Sequence, residues 1–245
     1  MTTPIKSGFL LINKPCGISS HGCIRHIKRI LKQKIRIGHA GTLDPFASGL
    51  LVVALGREAT RLVSHIMVME KTYVATGKCG ELTDTLDLTG TVITTTRFIP
   101  TEQELETAII SFGSSYEQIP PLYSALKHQG NPLYALARQG TMSVDDLQQV
   151  VETKKRVVQF YEFKLVSYEA PFFTIKARVS HGTYIRTLIN DIAMRAGSCA
   201  TTYALERTAI GHFTVDQAVM LKDLHTIDDI DHAIISVTDF NAKTS

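Results

Sequence analysis

The sequence predicts an α+β protein built on a mixed, largely antiparallel sheet flanked by helices. Three observations lead there. Strand-like and helix-like segments intermix without the strict strand–helix–strand alternation of a parallel α/β fold. Two long strand-like runs, 156–168 (RVVQFYEFKLVSY) and 172–180 (FFTIKARVS), lie back to back around Ala170-Pro171, as antiparallel partners do. Finally, 245 residues with 44% hydrophobic and 20% charged side chains have the composition of a globular protein and not of a disordered one.

Each element follows from its pattern. Residues 8–12 (GFLLI) read as a short buried strand. Ser19 or Ser20 is placed to cap a helix to about Gln33, with Ile24, Ile27, Ile30 and Leu31 at helical spacing and Arg25, His26, Lys28, Arg29 and Lys32 on the other faces. The segment 38–49 (GHAGTLDPFASG) breaks any period and is a loop, followed by a buried strand at 50–55 (LLVVAL). A helix from Glu58 to about Met67, a strand at 71–78, a loop from Thr83 to Gly90 and a strand at 90–96 come next. Thr101-Glu102-Gln103-Glu104 is a capping box that opens a helix to about Ser111. A loop-rich stretch and a short helix at 132–139 precede residues 141–155, read as an insertion in a surface loop. After the long strand pair, 183–196 carries a helical stripe of Ile185, Leu188, Ile189, Ile192 and Ala196, and 201–207 is another strand. The expected organisation is a catalytic domain over 1–213 and a short, weakly helical, acidic tail over 214–245.

The net charge of +3 hides a polarity. The first 43 residues hold eight basic side chains and no acid, so the remainder balances 18 basic against 23 acidic groups. Such a block suits a polyanion, and it equally suits the solvent face of one helix. No run of about 18 apolar residues suggests a membrane span. The apolar stretch FLLI is too short for a secretory leader, so a cytoplasmic protein is expected. Cys16, Cys23, Cys79 and Cys199 are dispersed without a CxxC pair, and the nine His are scattered. Neither a metal site nor a disulfide framework is expected. Walker and GxGxxG motifs are absent, so no cofactor is expected.

Some chemistry is visible in the residues themselves. Asp44 lies between Leu43 and Pro45 in a glycine-punctuated loop just before a strongly apolar strand. A loop can present such a carboxylate to a cleft as nucleophile or general base, while an Asx-turn before proline explains it as well. His39 precedes it, but no GxSxG elbow completes a triad. Tyr73 beside Lys71 and Tyr184 beside Arg186 interleave rings with cations, as base stacking on nucleic acid requires, although tyrosine is also an ordinary strand residue. Arg186, between inward Ile185 and Leu188, needs an anion if its stem is buried, and Asp44 is a candidate.

Taken together, six strings resemble one family in order. GHAGTLDPFASGLL (38–51) is similar to the catalytic motif of the TruB-type tRNA pseudouridine synthases, and NKPCGISS (13–20) to their KPxGxxS element. KTYVATGKCGELTDTLDLTG (71–90), QIPPLYSALKHQGNPLYALARQG (118–140), HGTYIRTLINDIA (181–193) and YALERTAIGHF (203–213) resemble the four further motifs. The resemblance implies the pseudouridine synthase fold and isomerisation of the uridine at position 55 of the tRNA T-loop, without guide RNA or cofactor. It implies Asp44 as the essential carboxylate, acting at C1′ or by a glycal-type route through C2′. It makes Tyr73 the ring that stacks on the flipped base and Arg186 the partner of Asp44. It places Tyr184 and Leu205 around the base, His39 in the space left by flipped nucleotides, and Lys14 with the basic helix at phosphates. A monomer acting on the T-loop and T-stem is expected, in a form lacking the family's C-terminal PUA domain. A guide-dependent pseudouridylase, a non-catalytic RNA binder and a glycosidase using Asp84 or Asp87 as second carboxylate are the rival readings.

Overall fold

The computed structural model describes residues 6–124, 126–140 and 142–244. Residue 125 and the side chains of 134 and 138, which carry part of the fourth motif, lie outside the described residues. In chain order, β1 (Gly8–Lys14) leads to α1 (Ser20–Leu31), β2 (Ile37–His39), β3 (Ser48–Leu55), the short α2 (Gly56–Arg61) and α3 (Val63–Met67), and β4 (Lys71–Cys79). Next come β5 (Glu81–Thr83), β6 (Val92–Thr95), α4 (Glu102–Ile110), β7 (Ser115–Gln118), β8 (Lys127–His128), β9 (Asn131–Pro132), α5 (Leu133–Gln139) and α6 (Val144–Glu152). The chain continues through β10 (Arg156–Glu169), β11 (Phe172–Val179), α7 (Ile185–Arg195) and β12 (Ala200–Ile210). It ends with β13 (Phe213–Thr214), β14 (Val219–Met220), α8 (Ile227–Ala233), β15 (Ile234–Ser236) and α9 (Val237–Thr244). Two compact units result, one formed by the chain up to Tyr73 together with Leu205 onward, the other by Val74–Ala204.

In the first unit, β1 and β3 pair antiparallel, Phe9 opposite Ala54 and Leu11 opposite Val52. Because side chains alternate along a strand, this pair buries two faces. Phe9, Leu11, Leu50, Val52 and Ala54 meet Ala59, Ile66 and Phe240 on one side. Leu10, Ile12, Leu51, Val53 and Leu55 meet Cys23, Ile27 and Leu31 of α1 on the other. Truncating one such leucine to alanine costs about 2–5 kcal/mol, a large part of a domain's stability. Helix α1 starts where the Ser19 side chain accepts from Gly22 N, and it stops short of Gln33 because Lys32 turns left-handed at φ 49°. The helix expected from Glu58 to Met67 is two helices, since at Leu62 the backbone N–H bonds three residues back to Ala59 O. Residues 214–245 are more than a tail. They pair with β1 through β14 and β15, and they supply Leu221, Leu224, Ile230 and Phe240 to the two cores.

In the second unit, β10 pairs antiparallel with both β11 and β7, with bulges at Phe160/Glu162 and Leu165/Ser167. Buried residues alternate along β11. Helix α7 buries Ile185, Leu188, Ile189 and Ile192 as its spacing predicts. The stretch 141–155, expected as a surface loop, contains α6. Ser143 caps that helix, and Leu147 and Val151 pack on Leu133, so its apolar spacing outweighed its polar composition. Among the described residues no helix is long and apolar enough to cross a membrane.

Candidate active site

The loop between β2 and β3 is held from beneath by buried donors. Arg207, 1% exposed on β12, donates from Nε to Leu50 O at 2.8 Å, from Nη2 to Gly41 O at 3.1 Å and from Nη1 to Thr42 O at 3.4 Å. Ser20 Oγ bonds both backbone groups of Leu43, accepting from N at 2.9 Å and donating to O at 3.1 Å. Pro45 O accepts from Gly17 N at 2.8 Å and from Lys14 Nζ at 3.4 Å. The residues on both sides of Asp44 are therefore pinned, and its half-buried carboxylate is displayed on a backbone that cannot drift. Gly49 closes the loop at φ 101°, where a Cβ would strike the Arg207 backbone, so only glycine lets β3 begin here.

Lys14 overturns one expectation. Its side chain is fully buried, and its ammonium also donates to Pro15 O at 3.0 Å and Ile18 O at 2.7 Å. A cation that spends its donors on three carbonyls inside the fold braces the NKPCG turn and has none turned toward a phosphate. Burial pushes its pKa below the usual lysine range, with Cys23, Cys16 and Asp44 opposing that shift.

Four further residues of the first unit belong to this region. Lys71 is buried, donates to Met67 O at 2.9 Å and Met69 O at 2.7 Å, and is pushed down to about 8 by burial and then by the Arg207 charge. These carbonyls lie at and just beyond the C-terminal end of α3, where a cation is favoured. His39, on β2, is lowered by burial and again by Arg207, which favours a neutral ring. Tyr73 and Leu205 are buried on β4 and β12.

The second unit holds Tyr184 and Arg186 at the start of α7. Arg186 is 5% exposed, and its guanidinium donates to Thr85 O at 2.6 Å and Tyr123 O at 2.9 Å. Its charge meets Asp87 Oδ2 at 3.5 Å, with both side chains buried. The TDTLDLTG loop prepares that carboxylate. Asp87 Oδ1 accepts from Thr85 Oγ1, Thr89 N and Thr89 Oγ1, and the loop is closed by Thr91 N donating to Asp84 Oδ1 at 2.8 Å. Asp87 is thereby committed to an ion pair and loses its claim as a glycosidase carboxylate. Tyr184 holds its ring against Arg156, whose guanidinium carbon lies 5.4 Å from the ring centroid.

Sequence reasoning found Asp44, His39, Tyr73 and Leu205 in the first unit and Tyr184 and Arg186 in the second. It did not single out Arg207, and it gave Ser20, Lys71 and Asp87 other roles: a helix cap, a stacking cation and a rival carboxylate. Arg207 carried a readable signal, because it stands two residues after Leu205 in a strand pattern and so faces the same way. Among the described residues no group of three or more His, Cys, Asp or Glu is arranged to hold a metal.

Comparison with known proteins identifies the family. Residues 28–185 match the family described as TruB family pseudouridylate synthase (N terminal domain), which places the protein among the pseudouridylate synthases, a class of isomerases. Among the relatives, a tRNA pseudouridine synthase B of Bordetella avium is 40% identical over 238 residues, covering 96% of this chain and 93% of the relative. One of Chromohalobacter salexigens is 41% identical over 228 residues, covering 92% and 70%. The chain belongs to the TruB family. Of solved structures, a Cbf5-Nop10-Gar1 complex contains a chain that aligns with a TM-score of 0.65 at 29% identity, covering 90% of this chain and 54% of that one. This chain thus spans about half of that neighbour's length.

Proposed function

We propose that the protein converts uridine to pseudouridine at position 55 in the T-loop of tRNA, without a guide RNA, as a cytoplasmic monomer. The observation that carries the reading is the half-buried Asp44 on a loop pinned on both sides by Arg207, Ser20, Gly17 and Lys14. The relatives named tRNA pseudouridine synthase B support the substrate.

The reaction balances without any outside reagent. The N1–C1′ bond breaks, the uracil turns, C5 bonds to C1′, N1 takes up a proton and C5 releases one. Asp44 either attacks C1′ or removes the C2′ proton, and both routes need one carboxylate fixed beside the ribose. The target base must leave its stack to reach that carboxylate. Tyr73 supplies an aromatic face for the flipped uracil and Leu205 an apolar cover. His39, favoured neutral by burial and by Arg207, fills space by shape and not by charge. In the second unit, Tyr184 offers a ring for the base and Arg186 a fixed cation. Phosphate contacts fall to the exposed Arg25, Lys28, Arg29, Lys32, Lys34 and Arg36.

The test uses purified protein, an unmodified tRNA transcript and no guide, with pseudouridine mapped at single-nucleotide resolution. The wild type is expected to modify position 55 alone. Asp44→Ala is expected to lose all product while keeping tRNA affinity. Product at another position, a requirement for a guide, or full activity of the alanine variant overturns the assignment.

A further inference from the structure

Gln118 is fully buried at the end of β7, opposite Arg156 of β10. Its carboxamide faces the backbone of Tyr184, 66 residues away, as a strand neighbour would. Tyr184 N donates to Gln118 Oε1 at 2.7 Å, and Gln118 Nε2 donates to Tyr184 O at 3.0 Å. Tyr184 is the N-cap of α7 at φ −95° and ψ 106°, and its side chain makes no capping hydrogen bond. Its N–H is one of the donors that a helix start leaves without an intrahelical acceptor. Only one orientation of the amide serves this pair, because the flipped form would set donor against donor and acceptor against acceptor.

The second Nε2 hydrogen is also placed. It points to the Tyr116 hydroxyl at 2.5 Å, and that hydroxyl donates to Asp191 Oδ2 at 3.1 Å. Asp191 lies on α7, so the chain of bonds leaves the helix start at Tyr184 and returns to the same helix nearly two turns later. Tyr116 is itself fixed, edge-on to Phe112 and stacked on Phe160. Every polar hydrogen between Asp191 and Tyr184 therefore has one acceptor and one direction. The preceding turn is constrained as well: Gly182 has φ 82°, a left-handed conformation that favours glycine.

We propose that Gln118 is a positioning residue for pseudouridine formation: its carboxamide sets the Tyr184 backbone, and through it the direction of the Tyr184 ring. This rests on the function proposed above. Gln118 is sealed inside the protein and cannot touch RNA, so its influence on the reaction passes through Tyr184. Losing the clamp allows the ring to shift by a fraction of an ångström to an ångström, and misplacement on that scale costs about 10–100-fold in rate.

The experiment measures single-turnover rate and tRNA affinity for the wild type and for Gln118→Leu, Tyr184→Ala and the double variant. Expected is a rate about 10–100-fold down in Gln118→Leu with affinity within about 3-fold, the loss entering the chemical step. In the Tyr184→Ala background the same substitution is expected to change the rate by less than about 2-fold, because the group it acts through is gone. Additive losses in the cycle mean that Gln118 supports the fold generally, and the proposal fails. Gln118→Glu guards against a leucine variant that does not fold. It keeps the shape but loses both amide donors, and its protonated form regains one. Its rate relative to wild type is expected to climb as pH falls from about 8 to about 6, since burial raises the pKa of a carboxyl group. A pH-independent ratio, or a wild-type rate in either variant, overturns the proposal. Absence of product from wild-type protein is a separate result and counts against the proposed function.

Discussion

Replacing Arg207 by lysine removes a fork and keeps a charge. Arg207 meets Leu50 O, Gly41 O and Thr42 O with three nitrogens that a planar guanidinium spreads in fixed directions. A lysine reaches with one nitrogen and has no route to carbonyls on opposite sides of the loop. The Thr42 bond is long at 3.4 Å and contributes little. Of the two short bonds at most one survives. A hydrogen bond to a charged group is worth about 1.5–3 kcal/mol, and a buried carbonyl left unpaired adds about 1–3 kcal/mol. A loss of roughly 2.5–6 kcal/mol in unfolding free energy follows from those two contributions. The residual mobility of Gly41 and Thr42 is transmitted to Asp44, and the single-turnover rate on tRNA is expected to drop about 100-fold. Urea denaturation and rapid-quench kinetics on one preparation supply both numbers. Arg207→Met serves as a control, because it is expected to cost at least as much stability if the bonds matter and not the charge. A lysine variant within 0.5 kcal/mol, roughly the noise of a surface substitution, and within about 3-fold in rate would refute the claim that the fork holds the loop.

Other consequences are open to measurement. Burial pushes Lys71 down to about 8 in the folded protein against the ordinary 10.5, so between those values the unfolded chain binds more protons and stability rises with pH. The full swing is about 3 kcal/mol at 1.36 kcal/mol per unit, and Lys71→Met is expected to flatten that part of the curve; an unchanged slope from pH 8 to 10.5 counts against a buried ammonium. Asp191 shifts the other way, pushed up to about 6 by burial, so the folded state binds the extra proton and stability falls as pH rises from about 4 to 6. Asp191→Asn retains an acceptor for Tyr116 and is expected to gain up to about 3 kcal/mol at pH 7 and nothing at pH 3.5, an upper limit for a group that water partly reaches. Neutralising Lys28, Arg29 and Lys32 together is expected to weaken tRNA binding and reduce its salt slope by as much as about three; an unaltered slope assigns that helix to solvent.

The parts of the fold legible in the sequence were those with period and punctuation. That Lys71, Tyr73, Ala75, Gly77 and Cys79 form the buried face of β4 comes from the structure, but that 71–78 is a strand can be read from its alternation. So can the capping box at Thr101, which forms with both of its bonds. Asp44 was visible because glycine and proline isolate it in a loop. What stayed hidden was long-range pairing. Nothing local says that Arg207 reaches back 166 residues to Gly41, or that Gln118 reaches forward 66 to Tyr184. Helix α6 was missed for a related reason, since its two inward residues become informative only when Leu133 is known to lie against them.

The acid-free first 43 residues divide by depth, and the division explains why charge counting left two readings equal. Arg25, Lys28, Arg29, Lys32, Lys34 and Arg36 are exposed, and all six lie on α1 or between it and β2. Lys14 is buried and has a structural use. Inside the same unit, Lys14, Lys71 and Arg207 place three basic groups in one buried region, two of them lowered by burial and each bonded to backbone carbonyls. Carbonyl oxygens alone compensate the desolvation of a buried cation poorly, so each of the three carries a cost. The arrangement makes sense if its gain is geometric: charged donors hold carbonyls more tightly than neutral ones, and the carbonyls held at Gly41, Thr42 and Pro45 flank Asp44, the carboxylate of the proposed reaction. Arg207 and Lys14 therefore hold the loop, and under the proposed function the outer groups are the ones left to meet the polyanion. Substitutions of the two sets are expected to separate cleanly, inner ones changing stability and the chemical step, outer ones changing affinity and its dependence on salt.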